Sequence, residues 1–278
     1  MINKVFDLNS IYVNLPKTEE QVTLTTYCRE NSKEMYEDKN YPAIVIFPGG
    51  GYRFTSDREA EPIALHFLAE GFQTFVLRYS CAPYRYPTQL LQAAAAIDFV
   101  RSRANEFNVD PNRIAVMGFS AGGHLAASIG TLFNEHIINE TLNIKPEAIK
   151  PDALVLSYPV ITSGEYAHKG SFQNLLGDNP DNDLFDKLSL ENAVTNDTPK
   201  TFIWHTAEDS AVPVKNSLLF AAALQEHNIP FELHIFEKGS HGLSLANELT
   251  GAPNKPHLLN QNASEWVNLC TKWLKTAL

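Results

Sequence analysis

A serine standing between two glycines at the end of an apolar run is the feature of this sequence best able to do chemistry. Gly118-Phe119-Ser120-Ala121-Gly122 follows residues 113–117 and precedes an Ala-, Leu- and Ile-rich stretch with helical spacing. Small residues on both flanks let the backbone take a strained turn, which stands the Ser120 hydroxyl above a strand end with a helix N-terminus behind it. A serine hydroxyl is a poor nucleophile until a neighbouring base takes its proton, so the arrangement demands a histidine and a carboxylate further along the chain.

Nine histidines compete for the role of base. His241 stands in Lys238-Gly239-Ser240-His241-Gly242, a glycine-flanked loop after the last expected strand, where an imidazole can swing over the strand ends. His124 lies one helical turn beyond Ser120, and His205 and His234 lie inside strands, so these read as packed or hydrogen-bonded structural residues. His66, His136, His168, His227 and His257 are assigned to the surface. The acid should sit just past a strand, and residues 201–206 run straight into Ala207-Glu208-Asp209-Ser210, where Asp209 is preferred to Glu208.

Pro48-Gly49-Gly50-Gly51-Tyr52 follows another apolar run, residues 43–47. A triple glycine after a strand can bind phosphate, but this one has neither the Lys-Ser or Lys-Thr pair of a P-loop nor G-x-G-x-x-G spacing. Beside an activated serine, the N–H groups of Gly50 and Gly51, with that of Ala121, would hold a developing oxyanion. Tyr52, Phe119, Tyr158 and Val212 flank these positions and are the candidates for pocket walls, although aromatic and branched residues in such places commonly serve packing.

The elements that must position these groups follow from patterning. Residues 43–47, 72–79, 113–118, 153–158, 201–206 and 231–236 are nearly continuous in apolar residues, as strands buried on both faces should be. Between them 57–70, 88–105, 120–133, 214–227 and 260–276 place apolar residues three and four apart, for instance Leu218, Ala222 and Leu224, or Trp266, Leu269 and Trp273. That alternation is the pattern of βα units around a largely parallel sheet. In the first forty residues Val22, Leu24 and Thr26 alternate against Thr23 and Thr25, which predicts antiparallel strands at one edge. Residues 159–199 depart from the alternation, being rich in Gly, Pro, Asn and Asp, and form either part of a cap over the site or a surface insertion that only packs.

With 278 residues, 44% of them apolar, the chain can bury one large core or two modest ones, and no second core is needed. A formal charge of −10 repels a phosphate backbone and an anionic membrane surface alike, so neither nucleic acid nor membrane is an expected partner. The start, MINKVFDLNS, lacks the basic flank and apolar run of a signal peptide, which makes a cytoplasmic location the expectation. Cys28, Cys81 and Cys270 are odd in number and far apart, the spacing of buried thiols rather than of a disulfide framework or metal cluster.

At these motifs the chain resembles serine esterases of the α/β-hydrolase superfamily, near the hormone-sensitive-lipase-like carboxylesterases. It is more similar still to bacterial feruloyl-esterase-like and sugar (xylan) acetyl esterases. PGGGY at 48–52, SDREAEPIA at 56–64, LRYSCAPYRYP at 77–87, DPNRIAVMGFSAGGHLAA at 110–127, LLGDNP at 175–180 and HTAEDSAVPVKNSLLF at 205–220 carry the likeness, over roughly residues 40–250. Ser120, Asp209 and His241 also follow one another in the order of nucleophile, acid and base usual in that fold. The resemblance implies an α/β fold spanning 1–278 as a single α/β-hydrolase domain, its mostly parallel sheet of about eight strands flanked by helices on both faces. It further implies removal of acetyl or other small acyl groups from carbohydrate, an acylated sugar or oligosaccharide as partner, and no metal or cofactor. Two positions depart from the pattern: Pro48 replaces the histidine of the lipase-like HGGG, and Glu208 stands where an Asp often precedes the acid. A serine peptidase of the same fold competes, although such enzymes often carry a large extra domain for which this chain has no room. So does a binding protein on a dead hydrolase fold, although such proteins commonly lack a triad member. A homo-oligomer is left open.

Overall fold

A computed structural model describes residues 1–252 and 254–278. Its strands are β1 (Val5–Asp7), β2 (Thr23–Tyr27), β3 (Tyr41–Phe47), β4 (Gln73–Arg78), β5 (Val109–Phe119), β6 (Ala153–Ser157), β7 (Thr201–Thr206) and β8 (Phe231–Phe236). They form one sheet in the order β1-β2-β4-β3-β5-β6-β7-β8. β1 and β2 pair antiparallel, as do β2 and β4, and every other neighbouring pair is parallel. This is an α/β-hydrolase architecture, with the expected antiparallel strands at one edge. β5 begins ahead of its apolar run because Val109 pairs with Tyr41 across a shift of register.

The helices are α1 (Leu8–Ile11), α2 (Glu61–Ala69), α3 (Thr88–Ser102), α4 (Ala121–Leu132), α5 (His136–Leu142), α6 (Pro146–Ile149), α7 (Lys169–Leu176), α8 (Asn182–Lys187), α9 (Lys215–Glu226), α10 (Gln261–Ser264) and α11 (Trp266–Ala277). Alternate strand residues feed two cores. Ile44, Met117, Val155 and Trp204 meet Ile63 and Phe67 of α2 and Trp266 and Cys270 of α11. The Trp204 and Trp266 rings stack there, centroids 5.0 Å apart and 14° from parallel. Val45, Phe75, Val116 and Leu154 belong to the second core with Leu90 and Ile97 of α3, Leu125 and Ile129 of α4 and Leu224 of α9. Each such fully buried large side chain contributes about 1.5–3 kcal/mol relative to leaving it in water. All three cysteines are buried and free. Among the described residues no helix is long and apolar enough to cross a membrane.

Two readings of the pattern need correction. β8 is not buried on both faces: it is the sheet edge, paired with β7 alone, and Phe231 and Ile235 are exposed. The inward stripe of α9 is not Leu218, Ala222 and Leu224 but Ser217, Phe220, Ala221 and Leu224, with Leu218 and Ala222 exposed. Polar residues set that phase. Asn216 Oδ1 accepts from the Ile161 and Thr162 N–H groups, and Ser217 Oγ bonds to the His205 ring, so hydrogen bonds turn the helix away from its most apolar face.

β4 lies on one side of β3 and β5 on the other, so chain progression reverses between β3 and β5. The crevice outside the carboxyl ends of two such strands is where open α/β sheets bind ligands. The Gly49–Gly51 loop leaves β3 and Ser120 leaves β5, both at that point. Residues 159–199 contain α7, α8 and a 3-10 turn at Leu190–Ala193, and they are tied to the body. Besides the Asn216 anchor, Arg85 Nη1 donates to the Gln173 and Asn174 carbonyls at 2.7 and 2.5 Å, and His124 Nε2 donates to the Leu188 carbonyl at 3.0 Å.

Candidate active site

Ser120 occupies φ 54°, ψ −118°, a conformation costly for a residue with a side chain, between the last residue of β5 and the first of α4. Gly122 makes the turn feasible, because a Cβ there would lie 2.1 Å from the Phe47 carbonyl oxygen of β3. The turn leaves the hydroxyl facing His241. Ser120 Oγ is 2.7 Å from His241 Nε2, and His241 Nδ1 is 2.6 Å from Asp209 Oδ2. The structure thus brings together the three residues that the sequence separates by up to 121 positions.

Asp209 is buried, and burial alone would raise its pKa. Hydrogen bonds from His205 and His241 and from the Val212 N–H outweigh that and hold the carboxyl well below the usual carboxylate range. Oδ1 accepts from the Ala211 and Val212 N–H groups at 3.0 and 2.9 Å. Oδ2 faces both imidazoles, with His205 Nε2 at 3.2 Å. His205 Nε2 also lies 2.9 Å from the Val212 carbonyl; both neighbours are acceptors, so this nitrogen carries the proton and Nδ1 accepts from Ser217 Oγ. Glu208 points out to solvent, where Oε2 accepts from the Gly239 N–H at 3.3 Å.

Gly50 lies at φ 132°, where a Cβ would fall 2.0 Å from the Phe54 carbonyl oxygen, so only glycine fits. No described residue accepts from the N–H of Gly50, Gly51 or Ala121. The loop holding the two glycines is fixed at every step. Tyr79 OH donates to the Pro48 carbonyl at 2.6 Å, Gly49 N–H to Glu59 Oε2 at 2.8 Å, and Asn174 Nδ2 to the Gly51 carbonyl at 2.8 Å. The Tyr52 hydroxyl donates to His124 Nδ1 at 2.9 Å, since His124 Nε2–H is engaged with Leu188. Burial pushes the His124 pKa down to about 4, against the raising effect of that carbonyl, so the ring is neutral. The absent histidine at position 48 is replaced by these contacts, most of them to backbone.

Glu59 is 4% exposed and links two loops. Its Oε1 accepts from Tyr158 OH at 2.6 Å, and that hydroxyl in turn accepts from the Ser244 N–H at 2.9 Å. Arg58 grips the same His241-bearing loop, donating to the carbonyls of Thr250 and Gly242 at 2.6 and 2.8 Å. Neither residue was singled out from the sequence for a role, although both stand in the SDREAEPIA run.

Above Ser120 and His241 opens a cavity of about 430 Å³, bounded by Gly50 and Gly51, by Arg53, Phe54, Arg58 and Glu59, and by His168, Gly170 and Asn174. The four expected wall residues do not line it. Tyr52 and Phe119 are sealed in the cores, Val212 serves Asp209 through its backbone, and Tyr158 turns its hydroxyl to Glu59 while its ring stands edge-on to His241. The apolar side chains flanking the motifs face the cores because each motif ends a buried strand or opens a buried helix. His168, assigned to the surface, instead belongs to the cavity, carried there by the 159–199 segment. Among the described residues no cluster of three or more His, Cys, Asp and Glu side chains is placed to hold a metal ion.

A profile of the BD-FAE family matches residues 32–224. An endo-1,4-β-xylanase B of Butyrivibrio fibrisolvens is 38% identical over 218 residues, 76% of this chain and 34% of the relative. An acetylxylan esterase of Xylanibacter ruminicola is 32% identical over 212 residues, 74% of this chain and 42% of the relative. The matched region therefore spans less than half the length of either relative. The crystal structure of an acetyl ester-xyloside bifunctional hydrolase from Caldicellulosiruptor lactoaceticus superposes with a TM-score of 0.85 at 41% identity, over 98% of this chain and 96% of that one.

Proposed function

Because the chain belongs to the BD-FAE family, we propose that it is a serine carboxylesterase that removes small acyl groups, acetyl foremost, from carbohydrate esters. The observation that carries this reading is the hydrogen-bonded line from Ser120 Oγ through His241 to Asp209, at 2.7 and 2.6 Å, on the floor of an open cavity. The named esterase activities of the similar proteins support the same class.

In this reading His241 Nε2 takes the Ser120 proton as Oγ attacks the ester carbonyl. The carbonyl oxygen, now negative, accepts from the N–H groups of Gly50, Gly51 and Ala121, a reading supported by their having no acceptor among the described residues. His241 then protonates the departing alcohol oxygen, leaving an acyl group on Ser120. Water, deprotonated by the same imidazole, attacks that acyl group through a second tetrahedral intermediate and releases the acid. Asp209 keeps the His241 proton on Nδ1 and stabilises the imidazolium. Being held ionised, it does so without taking a proton itself. The 159–199 segment supplies one wall of a cap over the alcohol side of the site, within a single hydrolase domain.

The test is acetate release from acetylated monosaccharides and xylo-oligosaccharides, measured beside feruloyl and p-nitrophenyl esters, with mass spectrometry after phenylmethylsulfonyl fluoride. The expected result is sugar-ester hydrolysis and a single sulfonyl adduct on Ser120. An unmodified Ser120 would remove the mechanism, and hydrolysis confined to p-nitrophenyl esters would remove the carbohydrate assignment.

A further inference from the structure

The cavity wall is rich in polar residues, several of whose donors are already engaged. The Arg58 guanidinium donates to the carbonyls of Thr250, Gly242 and Leu243, and Asn174 Nδ2 to that of Gly51. Arg53 is exposed at the mouth on a flexible stem. His168 differs. It caps the N-terminus of α7, its Nδ1 accepting from the Ser171 N–H at 3.3 Å and lying 2.8 Å from Ser171 Oγ. An imidazole nitrogen that accepts a backbone N–H carries no proton, so the neutral ring bears its hydrogen on Nε2. Two contacts through Nδ1 fix the ring, and no described residue accepts from Nε2–H.

The side of the cavity follows from the chemistry. His241 Nε2 must hand its proton to the leaving oxygen, so the alcohol lies against His241. His168 and His241 line the same cavity above Ser120, and burial, with the charge of His241 outweighing that of Asp209, lowers the His168 pKa. A small acyl group carries no hydroxyl, so a donor in the wall of the cavity that His241 also lines is met by the alcohol, and the lowered pKa keeps the ring neutral and able to donate.

Resting on the esterase reading above, we propose that His168 is a specificity-determining residue whose Nε2–H donates to a hydroxyl of the leaving alcohol beside the ester oxygen. The site then favours acyl groups carried by polyols, a sugar ring with a free neighbouring hydroxyl above all, over acyl groups on simple alcohols of the same shape. A fixed donor with no protein partner is left unpaired by an alcohol that lacks the hydroxyl, and that difference is the source of discrimination.

Monoacetylated methyl xyloside and cyclohexyl acetate test this, since both present a six-membered ring but only the first carries hydroxyls. Wild-type enzyme should prefer the xyloside in kcat/KM. His168→Asn retains an acceptor to cap Ser171 but lacks the reach of Nε2. It should lower kcat/KM on the xyloside about five- to tenfold more than on cyclohexyl acetate, the scale of one neutral hydrogen bond. His168→Gln, which restores a donor at comparable reach, should recover most of the preference. Equal losses on both substrates in the Asn variant, or no loss on either, would overturn the proposal. Should that variant fail to fold, wild-type enzyme that does not discriminate between the two substrates overturns it unaided. Wild-type enzyme inert on the acetylated xyloside but active on phenyl acetate overturns the carbohydrate assignment instead.

Discussion

Replacing Asp209 by Asn alters one atom and reverses the hydrogen-bond logic around it. Oδ1 can still accept from the Ala211 and Val212 N–H groups, which hold it at 3.0 and 2.9 Å and so fix the orientation of the amide. The NH₂ group then replaces Oδ2 and confronts two N–H donors, His241 Nδ1 and His205 Nε2. His205 keeps the Val212 carbonyl as an acceptor, but His241 has none, so it moves its proton to Nε2 and accepts at Nδ1. An Nε2–H facing Ser120 Oγ cannot take the serine proton. The expected loss is roughly 10⁴ in kcat, the scale measured for this substitution in a triad on another fold, or about 5.4 kcal/mol of transition-state stabilisation. Glu208→Gln, which disturbs only an exposed contact to the Gly239 N–H, should cost less than about tenfold. Paired kcat measurements on p-nitrophenyl acetate decide. If Glu208→Gln cripples turnover while Asp209→Asn leaves it near wild type, the acid has been misassigned.

Ser120→Ala should fold and lose roughly six orders of magnitude in ester hydrolysis, as when other triad serines are removed; retention of most activity contradicts the nucleophile. Glu59→Gln presents an NH₂ group to either Gly49 N–H or Tyr158 OH, and should lower kcat by roughly ten- to a hundredfold with KM little changed. A rise in KM at constant kcat would place Glu59 in substrate binding instead. Acetate and propionate esters should exceed octanoate in kcat/KM, because the apolar space between Tyr52, His124 and Phe172 has no room even for a water molecule; a preference for long chains, or activation at an oil–water interface, argues otherwise. Since folding lowers the Asp209 pKa, its ionised form contributes stability above the ordinary carboxylate range, lost as pH falls through and below it. Acid denaturation of Asp209→Asn should show a smaller pH dependence there than wild type, and superimposable curves would refute this.

What could be read from the sequence was local. Strands β3, β6 and β7 announce themselves because both faces are apolar, and Ser120, Asp209 and His241 each sit in loops whose glycines or strand ends mark them. The edge position of β8 was not legible, since FELHIF is apolar enough for a central strand and only the sheet order shows that nothing lies beyond it. The phase of α9 was hidden because buried Asn216 and Ser217 look polar until their partners, in the segment after β6 and on β7, are known. Arg58 and Asn174 act across large sequence separations on backbone atoms, and Glu59 holds the Gly49 N–H ten residues away; a backbone partner leaves no mark in composition. His168 was hidden because its place in the cavity depends on where the 159–199 segment folds. The four expected walls were misplaced because adjacency to a motif residue in sequence says nothing about which way a side chain turns.

The division of labour between the strand-end loops and the segment carrying α7 bears on how this scaffold can be recast. The residues proposed as nucleophile, base, acid and oxyanion donors all follow strand ends, and Glu59 and Tyr158 tie the Gly49 loop to the loop of Ser244, whereas His168 and Gly170 arrive on a separate stretch of chain. A transplanted stretch from a homologue could therefore exchange the alcohols accepted without retuning the reaction. One graft boundary is set by Asn174, whose amide holds the Gly51 carbonyl: a transplant that ends before it swaps selectivity, and one that runs past it cuts the strut of the oxyanion loop.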